Sequence, residues 1–162
     1  FYFPRKNYLL GKRVKHGGWW PDYAPRLFKR EDFISWVGKI HESPKFKGKA
    51  GYLKEPLIHV TARSLNLMLE KTIIWAKIEA TLYYNSNNPK VTILKVVKAS
   101  MTEFIYRYIA KKGLLDGTVG LILAIFQALH KAIIATYLWE LQNQTKEKFE
   151  QEKQIIAIDK LK

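Results

Sequence analysis

Two patterns divide the chain. Over residues 1–60, apolar and polar positions alternate in short runs broken by Gly and Pro; beyond that, apolar positions recur at helical spacing. The first part predicts strands at 1–9 (FYFPRKNYL), 26–30 (RLFKR), 32–38 (DFISWVG) and 51–60 (GYLKEPLIHV). Pro56 demotes part of the last to an edge or a bulge. Gly11, Gly17, Gly18, Gly38, Gly48 and Gly51 punctuate these runs. Thr61 or Ser64 suits the cap of a first helix, in which Leu67, Ile74, Ile78 and Leu82 fall near one face. NSNNP at 85–89 stops it. A second helix is expected from about Pro89 to Lys112, ended by Gly113, with Lys111 and Lys112 at the negative end of its dipole. Asp116 or Thr118 opens a third, reaching about Glu147. The expected class is therefore α+β: strands and loops over 1–60, a helical extension over 61–143 and a charged tail over 144–162.

Composition adds limits. With 162 residues, 48% of them hydrophobic, the chain has enough apolar material for one domain with a core. There is no Cys, so disulfides, thiolate nucleophiles and Cys-based zinc sites are excluded, in keeping with a cytoplasmic setting. The opening FYFPRKNYLL lacks the basic start, apolar run and cleavage site of a signal peptide, and reads as a strand entered part-way. Residues are expected to precede it. Net charge is +14, from 28 basic and 14 acidic residues, and residues 1–63 carry fourteen basic against five acidic. Such a field favours an anionic partner: nucleic acid, anionic lipid head groups or a phosphorylated substrate. The plainer alternative is a solvated basic surface.

Self-contained catalytic motifs are missing. The histidines are His16, His41, His59 and His130, with no H-E-x-x-H. No G-x-x-x-x-G-K-[ST], G-x-G-x-x-G or G-x-S-x-G occurs. Two stretches remain. GWWPDYAPRLFKR at 18–30 concentrates aromatics, a carboxylate and guanidinium groups, and WVGKIHESP places His41–Glu42 at the end of an apolar strand, where a general base can sit.

GGWWPDYAPRLFKR, WVGKIHE, GYLKEPLIHV, LEK…EA and KKGLLDGTVGLILAIFQALH occur in that order. Over residues 1–143 this resembles the carboxyl-terminal half of bacterial family 2 glycosyltransferases, in the branch similar to lipopolysaccharide-core glucosyltransferases. The resemblance implies a GT-A fold, with a Rossmann-like sheet whose first half binds a nucleotide-sugar. That half carries an Asp-x-Asp motif for a divalent metal, Mg or Mn. No D-x-D occurs in this chain. The expectation is an acceptor-side part, inactive alone, of an inverting enzyme that moves a sugar from a nucleotide-sugar donor to a lipid-linked or lipopolysaccharide-type saccharide acceptor.

The resemblance also implies roles. Glu42 is the candidate base, and His41 orients it or contacts acceptor or diphosphate. Arg26, Lys29 and Arg30 belong to the basic motif, with Arg26 the candidate for a structural or phosphate contact. Asp22 holds Arg26 or a backbone turn. Trp19, Trp20 and Tyr23 form a wall against a sugar ring or pack beneath a loop. His59 approaches the metal or the diphosphate, or is a satisfied strand histidine. Lys71 is expected on the surface.

The helices pose a separate choice. Residues 117–129 carry no charge, a run shorter than the roughly 20 residues that span a bilayer. Phe104, Tyr106, Tyr108, Tyr137 and Trp139 suit a membrane interface. In-plane contact with the anionic inner face of the cytoplasmic membrane is the favoured expectation. A buried helical hairpin or a homo-oligomer interface is its alternative. A nucleic-acid-binding module lacks any RNP-like or GXXG signature, so no nucleic acid is expected as partner. The rival to the transferase is a non-catalytic basic module that binds a membrane, another partner or, against the missing signatures, nucleic acid.

Overall fold

In a computed structural model, residues 1–38, 40 and 42–144 are described. The first expected strand is β1 (Tyr2–Leu9), the centre of the main sheet. Leu10 and Gly11, both at positive φ, turn the chain into β2 (Lys12–Arg13), which pairs back antiparallel on Tyr8 and Leu9. Gly11 supplies this turn at φ 77°, a conformation that costs glycine little. β3 (Tyr23–Pro25) pairs antiparallel with the start of β1. RLFKR forms no strand: residues 26–29 are irregular and Arg30–Asp32 is a single 3-10 turn. Phe28 is drawn away from sheet pairing because its ring stacks on Phe33, centroids 5.1 Å apart, and meets Trp36 edge-on.

β4 (Phe33–Val37) matches the third expected strand, and β5 (Ser43–Phe46) pairs with it as a separate antiparallel ribbon. The fourth expected strand is shorter than its sequence pattern. Its start pairs with β1 through a single parallel bridge, Tyr52 to Tyr2, the run breaks before Pro56, and β6 (Leu57–Ala62) then joins the sheet, running parallel to β1.

Helix α1 (Leu65–Asn85) starts from Ser64, whose side chain accepts the Leu67 N–H. Of the expected apolar face, Leu67, Ile74 and Ile78 are exposed and Leu82 is half-buried, whereas Met68, Ala76 and Ala80 are buried. Small Ala76 and Ala80 let α1 approach the third helix, where they pack with Ile134 and Leu138. Helix α2 (Ile93–Ile105) begins four residues after Pro89 because the link is held elsewhere. Gln142 accepts from the Val91 N–H at 2.9 Å and donates to the Asn88 carbonyl at 3.1 Å, leaving Thr92 as the cap.

The end of α2 also departs from expectation. Tyr106–Ala110 widen into a π turn, and the left-handed residue is Lys112 (φ 56°), not Gly113. Gly113 is needed for room: a Cβ there would lie 2.7 Å from the Arg107 carbonyl oxygen. Helix α3 (Gly117–Asn143) packs along both α1 and α2. The core joins the two parts, with Leu9 and Ala62 of the strands and Val14 just after β2 meeting Met68, Val119 and Leu123 of the helices. The chain is thus a small α+β domain of short strands and a long carboxyl-terminal helix.

Asp116, at the head of α3, does not cap its own helix by side chain. Its carboxylate, 7% exposed, accepts the backbone N–H of Lys15 at 3.0 Å and of His16 at 2.7 Å, and the His16 ring at 2.9 Å. Beside it, the Gly17 N–H donates to the Lys111 carbonyl at 2.8 Å, and Arg107 donates to the Gly17 carbonyl at 3.0 Å. The strand part is thereby clamped to the α2–α3 junction. Asp116→Ala leaves these donors without an acceptor, and an unsatisfied buried donor costs about 2 kcal/mol. Urea unfolding should show a midpoint lowered accordingly, with Asp116→Asn in between; an unchanged midpoint for the Ala variant would remove the clamp from this account.

Candidate functional site

A buried amide organises the strand side of the site. Asn7, 1% exposed, lies on β1 two residues before Leu9, which strand alternation places on the same face. Its Nδ2 donates to the Asp22 carboxylate at 2.8 Å and to the Trp19 carbonyl at 3.0 Å. Its Oδ1 accepts from His59 Nδ1 at 2.7 Å and from the Thr61 hydroxyl at 3.1 Å. Two acceptors on one end of the amide and two donors on the other fix which end is which. His59 therefore carries its proton on Nδ1, leaving the Nε2 lone pair bare. Asp22 also holds Arg5, at 2.7 and 2.8 Å, rather than Arg26. Burial, then the Arg5 charge, pushes the His59 imidazole below its ordinary 6.5; Asp22 opposes this, and Arg26 and Lys71 add to it.

His59 borders a cleft of about 660 Å³ between the sheet and the helices. Trp19 and Thr61 share its strand wall, and Lys71, Trp75 and Glu79 come from α1. Glu103 and Arg107 close the α2 side, and His130 and Lys131 the α3 side. The two carboxylates are engaged. Glu103 accepts from Arg107 Nε at 2.8 Å, and Glu79 stands 3.4 Å from His130 Nε2 and 3.9 Å from Lys131 Nζ. Aromatic rings, basic groups and paired carboxylates thus face one space, a chemistry suited to a sugar bearing negative charge.

The expected site residues divide. Trp19, Asp22 and His59 come together through Asn7, and Trp19 also packs on the core. Arg26 is exposed, yet its charge reaches His59. Trp20 is exposed, with the Arg13 guanidinium 5.5 Å from its ring centre, and Tyr23 meets Tyr52 edge-on. Lys29 forms an open pair with Glu31, and Arg30 starts the 3-10 turn. Glu42 is exposed in the link between β4 and β5 and does not line the cleft. His41 lies outside the described residues.

Sequence reasoning missed Asn7 and Arg5, and it placed Lys71 on the surface without the cleft. Asn7 left a readable signal: an amide on the core face of an otherwise apolar strand position must find partners. Glu79 left none, because its partners His130 and Lys131 are far away in sequence, and Arg107 left only its helical spacing from Glu103, not its contact with Gly17.

His59 as a metal ligand does not fit its surroundings. Nearby charges are mostly cationic, and Asp22 is committed to Arg5 and Asn7. Among the described residues no group of three His, Asp or Glu side chains is placed to hold a metal ion. The bare Nε2 is instead an acceptor for a hydroxyl or other donor at the cleft edge.

The folded pKa of His59 lies below the unfolded value, so between the two the unfolded chain binds more protons. Its contribution to stability is present above pH 6.5 and is lost as pH falls through the folded pKa. Ring ¹⁵N–¹H spectra should show His59 titrating below 6.5, with Nδ1 protonated in the neutral form. Lys71→Ala should shift the titration upward. A ring protonated on Nε2, or one titrating above 6.5, would contradict this assignment.

No protein-family model matches the chain, and no solved structure matches it.

Proposed function

We propose that this chain is the acceptor-side part of an inverting family 2 glycosyltransferase of GT-A type. It moves a sugar from a nucleotide-sugar to a lipid-linked or lipopolysaccharide-type saccharide. The observation that carries the reading is the convergence of its motif residues. Asp22 of GWWPD meets His59 of the L-x-H strand through Asn7. Asp116 of the K-x-G-x-x-D-G segment grips the backbone just before GGWW. Separate motifs, far apart in sequence, build one cleft.

Two features support a further sheet-bearing half on the donor side. β6 runs parallel to β1, the pairing a Rossmann-like sheet uses, and its Ile58 is 75% exposed. Bulky Leu67, Ile74 and Ile78 on the following helix are exposed as well. These apolar surfaces suit packing against another layer. The divalent metal, Mg or Mn, belongs to that half in this reading.

In the proposed reaction Glu42 takes the proton from the acceptor hydroxyl as that oxygen bonds to the anomeric carbon. The bond from that carbon to the nucleoside diphosphate breaks, with inversion. Arg26, Lys71 and Arg107 supply positive charge for anionic groups at the cleft. His41 orients the base or contacts acceptor or diphosphate, Lys29 and Arg30 extend the basic rim, and Trp19, Trp20 and Tyr23 offer aromatic faces to sugars. The enzyme works on the cytoplasmic side, peripheral at the inner face of the membrane that carries its acceptor.

Two measurements test the reading. The 162-residue chain alone should show no metal-dependent nucleotide-sugar binding by calorimetry; tight binding would place the donor site within it. In the enzyme with its donor half, Glu42→Gln should lower kcat roughly 10²–10⁴-fold while donor affinity is unchanged. If turnover persists, the base is another group, and His59 Nε2 is the next acceptor to remove.

A further inference from the structure

The outward face of α2 has an unusual combination of features. Ile93, Leu94, Val97, Met101 and Ile105 fall within about a third of the helix circumference. All five are exposed, Ile93 at 84% and Leu94 at 72%. The opposite face, with Val96, Ala99, Ser100 and Glu103, is half-buried on the side that packs along α3. Within the widened turn Ile109, and beyond it Leu114 and Leu115, are exposed apolar residues too.

The charges around this stripe have one sign. Lys90 and Lys95 stand at its start, Lys98 along its border, and Lys111 and Lys112 at its far end. Glu103 is the acidic residue within α2, and its carboxylate is turned to Arg107. Tyr106 is exposed, with Lys111 Nζ 5.4 Å from its ring centre. A second copy docked through this stripe would bring lysine against lysine. An anionic bilayer meets both demands: acyl chains take the apolar stripe, and head-group phosphates take the lysines.

We infer that α2 is an in-plane lipid-binding helix, docking its Ile93–Ile105 stripe on an anionic membrane surface. The inference rests on the peripheral placement proposed above and not on the transfer chemistry. It moves the contact away from the uncharged run at 117–129. At 13 residues α2 is about 20 Å long, too short to cross a hydrocarbon core of about 30 Å. Gly113–Asn143 is long and apolar enough to cross, with mean hydropathy 1.8. However, α3 is held between α1 and α2, with Val119, Leu123, Ile134 and Leu138 buried. His130 and Lys131 face the cleft.

Flotation of the chain on phosphatidylcholine vesicles, with and without a third of phosphatidylglycerol, tests the inference. Binding should need the anionic lipid and weaken with salt. Val97→Asp combined with Met101→Asp should reduce binding at least about tenfold, and Lys95→Glu combined with Lys98→Glu should abolish the preference for anionic lipid. These side chains are exposed, and circular dichroism would verify that the variants fold. Ile74→Asp, on the exposed face of α1, should bind like the parent. If the parent floats and the α2 variants float equally, the α2 surface is wrong while peripheral placement stands. If the parent never floats, both fail. If the parent dimerises in sedimentation and Val97→Asp with Met101→Asp breaks the dimer, the stripe is an interface between copies, and the inference is overturned. None of these outcomes bears on the role of Glu42.

Discussion

The rest of the structure depends on one carboxylate serving a different element from its own. Asp116 opens α3 but spends both oxygens on Lys15 and His16, a hundred residues earlier in the chain. Backbone N–H groups in such a loop must find acceptors somewhere. Placing a charged acceptor at the head of a helix fixes the loop to that helix with little freedom, since charge-assisted bonds are short and directional. The cleft follows from this attachment. One wall holds Trp19, His59 and Thr61; the other holds side chains of all three helices. Glycines make the attachment close. A Cβ on Gly120 would lie 1.9 Å from the Gly113 carbonyl oxygen, and one on Gly18 would lie 3.0 Å from Arg107 Nη1.

Within the cleft wall, a second buried polar group sets the chemistry. An amide at the centre of a sheet is tolerable only when all its hydrogen bonds are made. Asn7 meets that condition with four partners from two other segments, the link before β3 and β6. The consequence passes to His59, whose proton position is dictated by the amide and whose charge is discouraged by burial and by the cations around it. A neutral imidazole with its free nitrogen at the cleft edge is therefore a product of packing. It suits contact with a hydroxyl better than membership of a metal site.

What the sequence made legible was local. β1, β4 and the start of α1 follow from alternation and a capping serine, which act over a few residues. β2 and β5 are too short to leave a periodic trace. In RLFKR the apolar residues read as a strand, yet Phe28 is satisfied by ring stacking instead of sheet pairing. For α1 the spacing identified an apolar stripe but not the inward one. That choice belongs to α3, which accepts the small stripe of Ala76 and Ala80. The candidate site was legible where residues sat together in a motif, as with Trp19 and Asp22. It was illegible where partners met only through the fold, as with Arg5 and Asp22, Glu79 and His130, or Arg107 and the Gly17 carbonyl.

The same folding choices redistribute charge. Residues 64–143 contain Glu70, Glu79, Glu103, Asp116 and Glu140. Three of these five are turned inward: Glu79 toward His130 and Lys131, Glu103 toward Arg107, and Asp116 toward His16. Only Glu70 and Glu140 remain exposed among them, against Lys71, Lys77, Lys90, Lys95, Lys98, Lys111 and Lys112. The helical surface is thus more positive than its composition indicates. Inside the cleft, pairing leaves the basic groups positioned but locally balanced, which favours a ligand able to displace or join those pairs with a well-placed anionic group. Along α2 the lysines are balanced by nothing on their own helix face. An extended anionic surface can neutralise them together while accepting the apolar stripe between them. Acidic residues spent on holding the fold together therefore leave the outside free to act as a single basic field.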